Sequence, residues 1–154
     1  MTDIGGSEVL QFAETDDPLL HRPIPSPDLS AQFFWESGKD GRLRIEQCSQ
    51  CSYLCHPPTG HCPRCGSDQC SPREVSGRGT VYSYTVNYQE WVPGQVPYAI
   101  VIVELDEQQG LRLTSNMFGC EPGAVAIGVR VEVAFLHRHG YFYPVFVPDR
   151  VIGA

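Results

Sequence analysis

Two cysteine brackets, Cys48-Ser49-Gln50-Cys51 and Cys62-Pro63-Arg64-Cys65, stand ten residues apart. A C-x-x-C turn aims two sulfurs at one point while its backbone N–H groups donate to them, and two such turns complete a tetrahedral S₄ shell. Four thiolates leave no position for water or substrate, so the chemistry such a centre supplies is structural. Zinc is the expected ion and iron the competitor, because a soft S₄ site suits both. Gly66 follows the second bracket and can take the positive φ that these turns favour; Ser52 stands at the same place after the first. Cys55, Cys70 and Cys120 have no paired bracket and read as small buried hydrophobes. Cys55 or His61 would enter the shell only if the turns folded otherwise, and His56 lies close enough in sequence to keep that alternative open.

Other residue types offer weaker chemistry. Cys120 with His137 and His139 supplies the types of a thiol–imidazole pair, but spacing does not bring them together, and hairpin histidines are commonly solvated. Glu104, Asp106 and Glu107 read as strand-end and turn carboxylates. The chain has neither a glycine loop for phosphate nor a G-x-S-x-G elbow. Little or no turnover by the chain alone is therefore expected.

With 18 acidic and 11 basic side chains among 154 residues, the net charge of −7 disfavours general binding to phosphate backbones. Met1 to Ala13 has no basic segment leading into an apolar one, and nothing approaches the roughly 20 apolar residues of a membrane span. Seven cysteines, an odd number, suit a reducing cytoplasm in which thiols bind metal or sit buried.

The elements that would position the S₄ shell follow from pattern. Residues 1–25 are polar and proline-rich and read as a mobile arm. Ser26 as cap, Pro27, Asp28 and a closing Gly38 predict a short helix over Pro27 to Ser37, within a docking segment 26–40. Its aromatic residues Phe33, Phe34 and Trp35 are more than three turns can bury alone. Short strands flank the brackets, giving a ribbon over 41–71. Strands are predicted at Gly79 to Tyr88, Tyr98 to Leu105, Leu111 to Phe118, Val129 to Leu136 and Tyr141 to Val147. No second helix competes, so the fold class is mainly β: a short helix, a metal ribbon, then a five-stranded OB barrel over 72–148, with a tail at 149–154. Alternation places Tyr82, Tyr84 and Tyr88 on one face unless a bulge breaks the register. Together with Trp91, these rings would be the platform of the competing single-stranded nucleic-acid reading, but few cations accompany them.

The order F-F-W-E, G-x-L at Gly41 to Leu43, the two cysteine brackets, G-x-V-Y-S-Y-T-V at Gly79 to Val86 and P-Y-A-I-V-I-V-E-L at Pro97 to Leu105 resembles the zinc-ribbon plus OB-fold family of acyl-CoA metabolism. The resemblance covers about Asp28 to Pro148. It implies a rubredoxin-like ribbon and a small subunit, or a fused domain, beside a thiolase-fold enzyme or an acyl-CoA hydratase. One branch pairs with thiolase-like aldolases of the lipid-transfer-protein type that shorten steroid side chains by retro-aldol cleavage. On this basis the partner-binding residues are expected among Phe33, Phe34, Trp35, Trp91, Val92, Val96, Val147 and Ile152. If acyl-CoA reaches the shared interface, Arg73, Arg78 and Arg112 are the candidates for its phosphates.

Overall fold

The computed structural model describes residues 9–10, 23–91 and 93–149. Among the described residues fall nine strands and one short α-helix: β1 (Val9–Leu10), α1 (Gln32–Glu36), β2 (Arg44–Cys48), β3 (Leu54–Cys55), β4 (Cys70–Glu74), β5 (Arg78–Asn87), β6 (Tyr98–Leu105), β7 (Arg112–Met117), β8 (Arg130–Arg138) and β9 (Tyr141–Pro148). The expected arm (1–25) and tail (149–154) lie largely outside the described residues, as do Val92 and Ile152.

Strands β5 to β9 close on themselves. Antiparallel pairings join β5 to β6, β6 to β7, β8 to β9 and β5 to β8, and one parallel bridge, Met117 opposite Phe146, closes β7 on β9. This is the five-stranded OB barrel. The inward rows contain Val81, Val101, Val103, Leu113, Val131, Val133, Phe135 and Phe146, all essentially solvent-free. Strand β6 shows the cause directly: inner residues from Ala99 to Leu105 are buried at every second position, and the alternate residues are half-exposed. Where many OB barrels carry a helix between the third and fourth strands, this chain has only a 3₁₀ turn, Pro122–Ala124. Outside the barrel, β1 runs parallel to β8, and Leu10 joins a small cluster with Ala134, Leu136, Val145, Phe118 and Val147.

The ribbon is a three-stranded sheet in the order β3-β2-β4. Its last strand pairs through to Glu74, opposite Arg44, so ribbon sheet continues a few residues beyond 71.

The helix is shorter than its cap signals predict. Asp28, not Ser26, organises the entry: its Oδ1 accepts the Ser30 hydroxyl at 2.7 Å and the Ala31 N–H at 3.0 Å. The first regular helical residue is Gln32. Gly38 does not end the segment. It lies where a Cβ would overlap the Phe135 ring, and the chain continues through a 3₁₀ turn, Ser37–Asp40, to Gly41 at φ 74°. Buried Ser37 then ties the turn to the ribbon, donating to Arg42 O at 2.8 Å and accepting the Arg44 N–H at 2.6 Å.

The β7–β9 seam explains where the aromatic segment goes. The single bridge, a Phe118 N–H to Phe146 O bond of 2.8 Å and a Ser115 hydroxyl donating to Pro144 O at 2.5 Å span it. Phe34 and Trp35 line a cleft of about 140 Å³ there, with Thr114 to Asn116 on one lip and Tyr143 to Val145 on the other. Phe34 meets Trp35 edge-on at 5.3 Å, and Trp35 meets Tyr143 at 5.5 Å. Phe34 is 8% exposed, so its expected place in a partner interface is corrected: its ring closes this chain's own barrel. Phe33 and Trp35 are half-buried against the same core.

Candidate metal centre

The two cysteine turns fold alike, down to their hydrogen bonds. Cys48 N–H donates to Tyr53 O and Ser52 N–H to Cys48 O, both at 2.9 Å; Cys62 N–H donates to Ser67 O at 2.8 Å and Gly66 N–H to Cys62 O at 2.9 Å. The left-handed residue that closes each turn is Ser52 at φ 61° and Gly66 at φ 77°. Ser52 thus adopts the glycine conformation despite its Cβ, at a cost of order 1 kcal/mol. The guanidinium of Arg64, in the second turn, lies 5.9 Å from the Tyr53 ring beside the first.

Cys48, Cys51, Cys62 and Cys65 come together with all four sulfurs within 4.8 Å of one another. Cys48 lies 3.6 Å from Cys65, and Cys51 lies 3.5 Å from Cys62. A tetrahedron with metal–sulfur bonds of about 2.3 Å has sulfur–sulfur edges of about 3.8 Å, so the cluster has the size of a metal shell. The backbone N–H groups of Cys51 and Gln50 outweigh burial and hold the Cys48 thiol down to about 6. Burial pushes Cys62 up, but the N–H groups of Cys65 and Arg64 more than reverse it. At Cys65 the Ser67 N–H pulls down, yet crowding by the Cys48 sulfur, burial and the other two thiols push it up to about 12. A divalent ion favours all four thiolates, and the donor set fits a structural metal.

Two supports were not legible in the sequence. Glu46, 4% exposed, accepts the Thr59 N–H at 3.1 Å and the Gly60 N–H at 2.9 Å, pinning the loop that delivers Cys62. Gln108, in the β6–β7 turn, accepts the Leu54 N–H at 2.8 Å and donates to Leu54 O at 2.9 Å, so one side-chain amide pairs the barrel with the edge of β3. The same turn holds its neighbours: Glu107 accepts the Ser76 N–H at 2.6 Å, and Asp106 binds Arg130 through two bonds of 2.6 and 2.5 Å. These strand-end and turn carboxylates act as fastenings between elements.

The remaining candidate residues disperse. Arg73 lies on the ribbon strand β4, Arg78 pairs with Asp149 at 2.6 Å, and Arg112 pairs with Glu104 at 3.1 Å while lying over the Tyr82 ring at 3.5 Å. A bulge between Val81 and Ser83 breaks the expected tyrosine row. Tyr82 faces outward under Arg112, whereas Tyr84 stands opposite Val101 in the register yet is 42% exposed. Tyr88 and Trp91 project at the β5–β6 hairpin end, 71% and 76% exposed, while Val96 and Val147 are half-buried. His137 lies flat on Phe142 at 4.4 Å, and His139 occupies the β8–β9 turn at φ 51°. Cys120 packs against the barrel core. Among the described residues no helix is long and apolar enough to cross a membrane.

A cysteine ribbon with a closed tetrathiolate shell, set beside a five-stranded OB barrel, defines a two-part class. Residues 35–70 match the family described as ChsH2, rubredoxin-like zinc ribbon domain, and residues 72–136 match ChsH2, C-terminal OB-fold domain. The chain belongs to this ChsH2 family of ribbon-plus-barrel proteins. It is 37% identical to a chain of a solved structure described as an Ltp2-ChsH2(DUF35) aldolase, with a TM-score of 0.73, covering 81% of this chain and 98% of that one. A probable enoyl-CoA hydratase alpha subunit of Thermomonospora curvata is 38% identical over 133 residues, 85% of this chain and 41% of that protein. The 3-oxo-4,17-pregnadiene-20-carboxyl-CoA hydratase alpha subunit of Mycobacterium tuberculosis is 35% identical over 140 residues, 88% of this chain and 42% of that protein. The chain thus spans about two fifths of the length of these curated relatives.

Proposed function

We propose that this chain is a noncatalytic subunit that docks on a thiolase-like aldolase acting on acyl-CoA and holds that enzyme in its active form. The reaction would be retro-aldol cleavage of a β-hydroxyacyl-CoA, of the kind that shortens steroid side chains, in the cytoplasm. The observation that carries the reading is the correspondence to nearly the whole length of one chain of the solved aldolase, at 37% identity. In support, the tetrathiolate shell has no open ligand position, and Cys120 packs against the barrel core while exposed His137 stacks on Phe142. Cys48, Cys51, Cys62 and Cys65 would hold structural zinc. Trp91 at the exposed hairpin, with Val92, Val96, Phe33, Trp35, Val147 and Ile152, would contribute to the docking surface, and any contact with coenzyme A phosphates would fall to Arg73, Arg78 or Arg112.

The test is reconstitution. The partner alone, this chain alone and the mixture are assayed for retro-aldol cleavage, and Trp91→Ala is run beside the wild type. Only the mixture should turn over, and Trp91→Ala should weaken the complex at least tenfold while leaving the fold and the metal content intact. Turnover by this chain alone would overturn the reading. The hydratase relatives favour a second reading, a hydratase accessory role, in which the same chain would support hydration of an enoyl-CoA by a different partner.

A further inference from the structure

Strand β8 has one edge that the barrel leaves partly open. On one side β9 pairs with it from Val131 to Arg138. On the other, β5 covers Arg130 to Glu132, and Gly77 O accepts the Val133 N–H at 2.8 Å, with the ribbon strand β4 just before it in the chain. Successive N–H groups of a strand point to opposite edges, so those of Phe135 and His137 face the edge that β5 leaves. There β1 runs alongside, Val9 opposite Phe135 and Leu10 opposite Leu136. Two paired residues make a very short strand, and an edge so lightly covered is a template for another chain. The face beside it is apolar. Its outer row sets Ala134 opposite Val145 and Leu136 opposite Tyr143, where the outer residues of β6 and β7 include Glu104, Arg112 and Thr114. Ala134, Leu136 and Val145 are nonetheless buried, with Leu10, Phe118, Tyr143 and Val147 packed against them. Through Tyr143 the face continues to half-buried Trp35.

We propose that the β8 edge from Phe135 to Arg138 is a strand-accepting site, closed by β1 in the chain alone and filled in the complex by an extended segment of the partner enzyme with an apolar side chain in place of Leu10. Main-chain bonds to the edge supply the affinity, and the row of Ala134, Leu136 and Val145 selects the side chain. Residues 1–20 carry Asp3, Glu8, Glu14, Asp16 and Asp17 and neither lysine nor arginine, and the whole chain carries −7. A second copy would bring the same negative charge to the site, so the segment that replaces β1 is neutral or basic and comes from the partner. The identity of this occupant rests on the reading of the chain as an enzyme subunit; the edge itself does not.

Leu10→Asp in the full chain tests it, since Leu10 lies outside the barrel core. Amide exchange at Phe135 and His137 should quicken about tenfold, while Val131 and Val133, which face β5 and Gly77, stay as they are. If those two also quicken, the milder Leu10→Ala takes its place. A fluorescein-labelled peptide of residues 6–13, with Glu8→Gln to remove its charge, should bind the Leu10→Asp chain about tenfold more tightly than wild type, because β1 no longer competes. The peptide should lose that binding when it carries Leu10→Asp itself. The thiolase-fold partner should bind the Leu10→Asp chain roughly threefold more tightly, and the peptide should compete with it. Equal peptide binding by the two chains, or none, would overturn the strand-accepting site. Partner binding that neither Leu10→Asp nor the peptide alters would overturn the partner as occupant and leave the subunit reading standing. Peptide exchange in a chain that binds no acyl-CoA enzyme would overturn the subunit reading, and the occupant with it, while the edge stands.

Discussion

Replacing Glu46 by Ala should be among the most damaging changes that leave the bracket cysteines untouched. The carboxylate is 4% exposed and receives two backbone N–H bonds of 3.1 and 2.9 Å from Thr59 and Gly60. Truncation strands both donors, and each costs about 1–3 kcal/mol when left without a partner, so roughly 2–6 kcal/mol is expected. Water reaching Thr59 from the neighbouring cleft would hold the loss toward the lower end. At about 2–4 °C per kcal/mol for a chain of this size, thermal unfolding of the metal-loaded protein should fall by roughly 4–24 °C. Glu46→Gln keeps one acceptor but turns an N–H₂ toward the other donor, and should lose about half as much. Zinc should also leave faster in both variants, because the loop that Glu46 pins carries Cys62. A melting temperature within about 3 °C of wild type for Glu46→Ala would refute the claim that this carboxylate organises the ribbon.

Ser52→Gly removes a Cβ from a left-handed position and should raise stability by about 1 kcal/mol in a denaturant titration, whereas Gly66→Ser should lower it by a similar amount. Gln108→Ala breaks both bonds to the Leu54 backbone and should cost about 2–3 kcal/mol, with faster amide exchange at Leu54 than in the barrel. Burial holds the His56 imidazole down at about 4, below its ordinary 6.5. The unfolded chain therefore binds the extra proton first, so this contribution is complete above pH 6.5 and is lost as pH falls toward 4, by about 3 kcal/mol. A His56→Phe variant, compared with wild type across that window, should lose less stability on acidification; parallel curves would contradict the assignment.

Periodicity carried most of the fold. Strand β6 was legible residue for residue because its inner face is buried on strict alternation, and the neighbouring strands fell within a residue or two. The cysteine shell was legible because a C-x-x-C turn is a local motif, complete within a few residues. What local pattern misled was the helix start, where Asp28 competes with Ser26 through bonds that only the turn geometry reveals, and the tyrosine row, where one extra residue at the bulge reverses the faces. What it could not contain were the contacts across 54 residues from Gln108 to Leu54, or the seam that takes up Phe34, since both depend on how β7 meets β9 and how the ribbon meets the barrel. The burial of Glu46 follows from the loop folding over it, a contact that no local pattern contains.

Whether this chain serves an acyl-CoA enzyme or acts alone is addressed most directly by native purification. The tagged chain would be recovered from cells grown on sterol or lipid carbon, with partner identification by mass spectrometry and metal analysis on the same sample. A stoichiometric thiolase-fold partner together with one zinc per chain is the expected result. Repeated recovery of zinc-loaded chain without any acyl-CoA enzyme would contradict it.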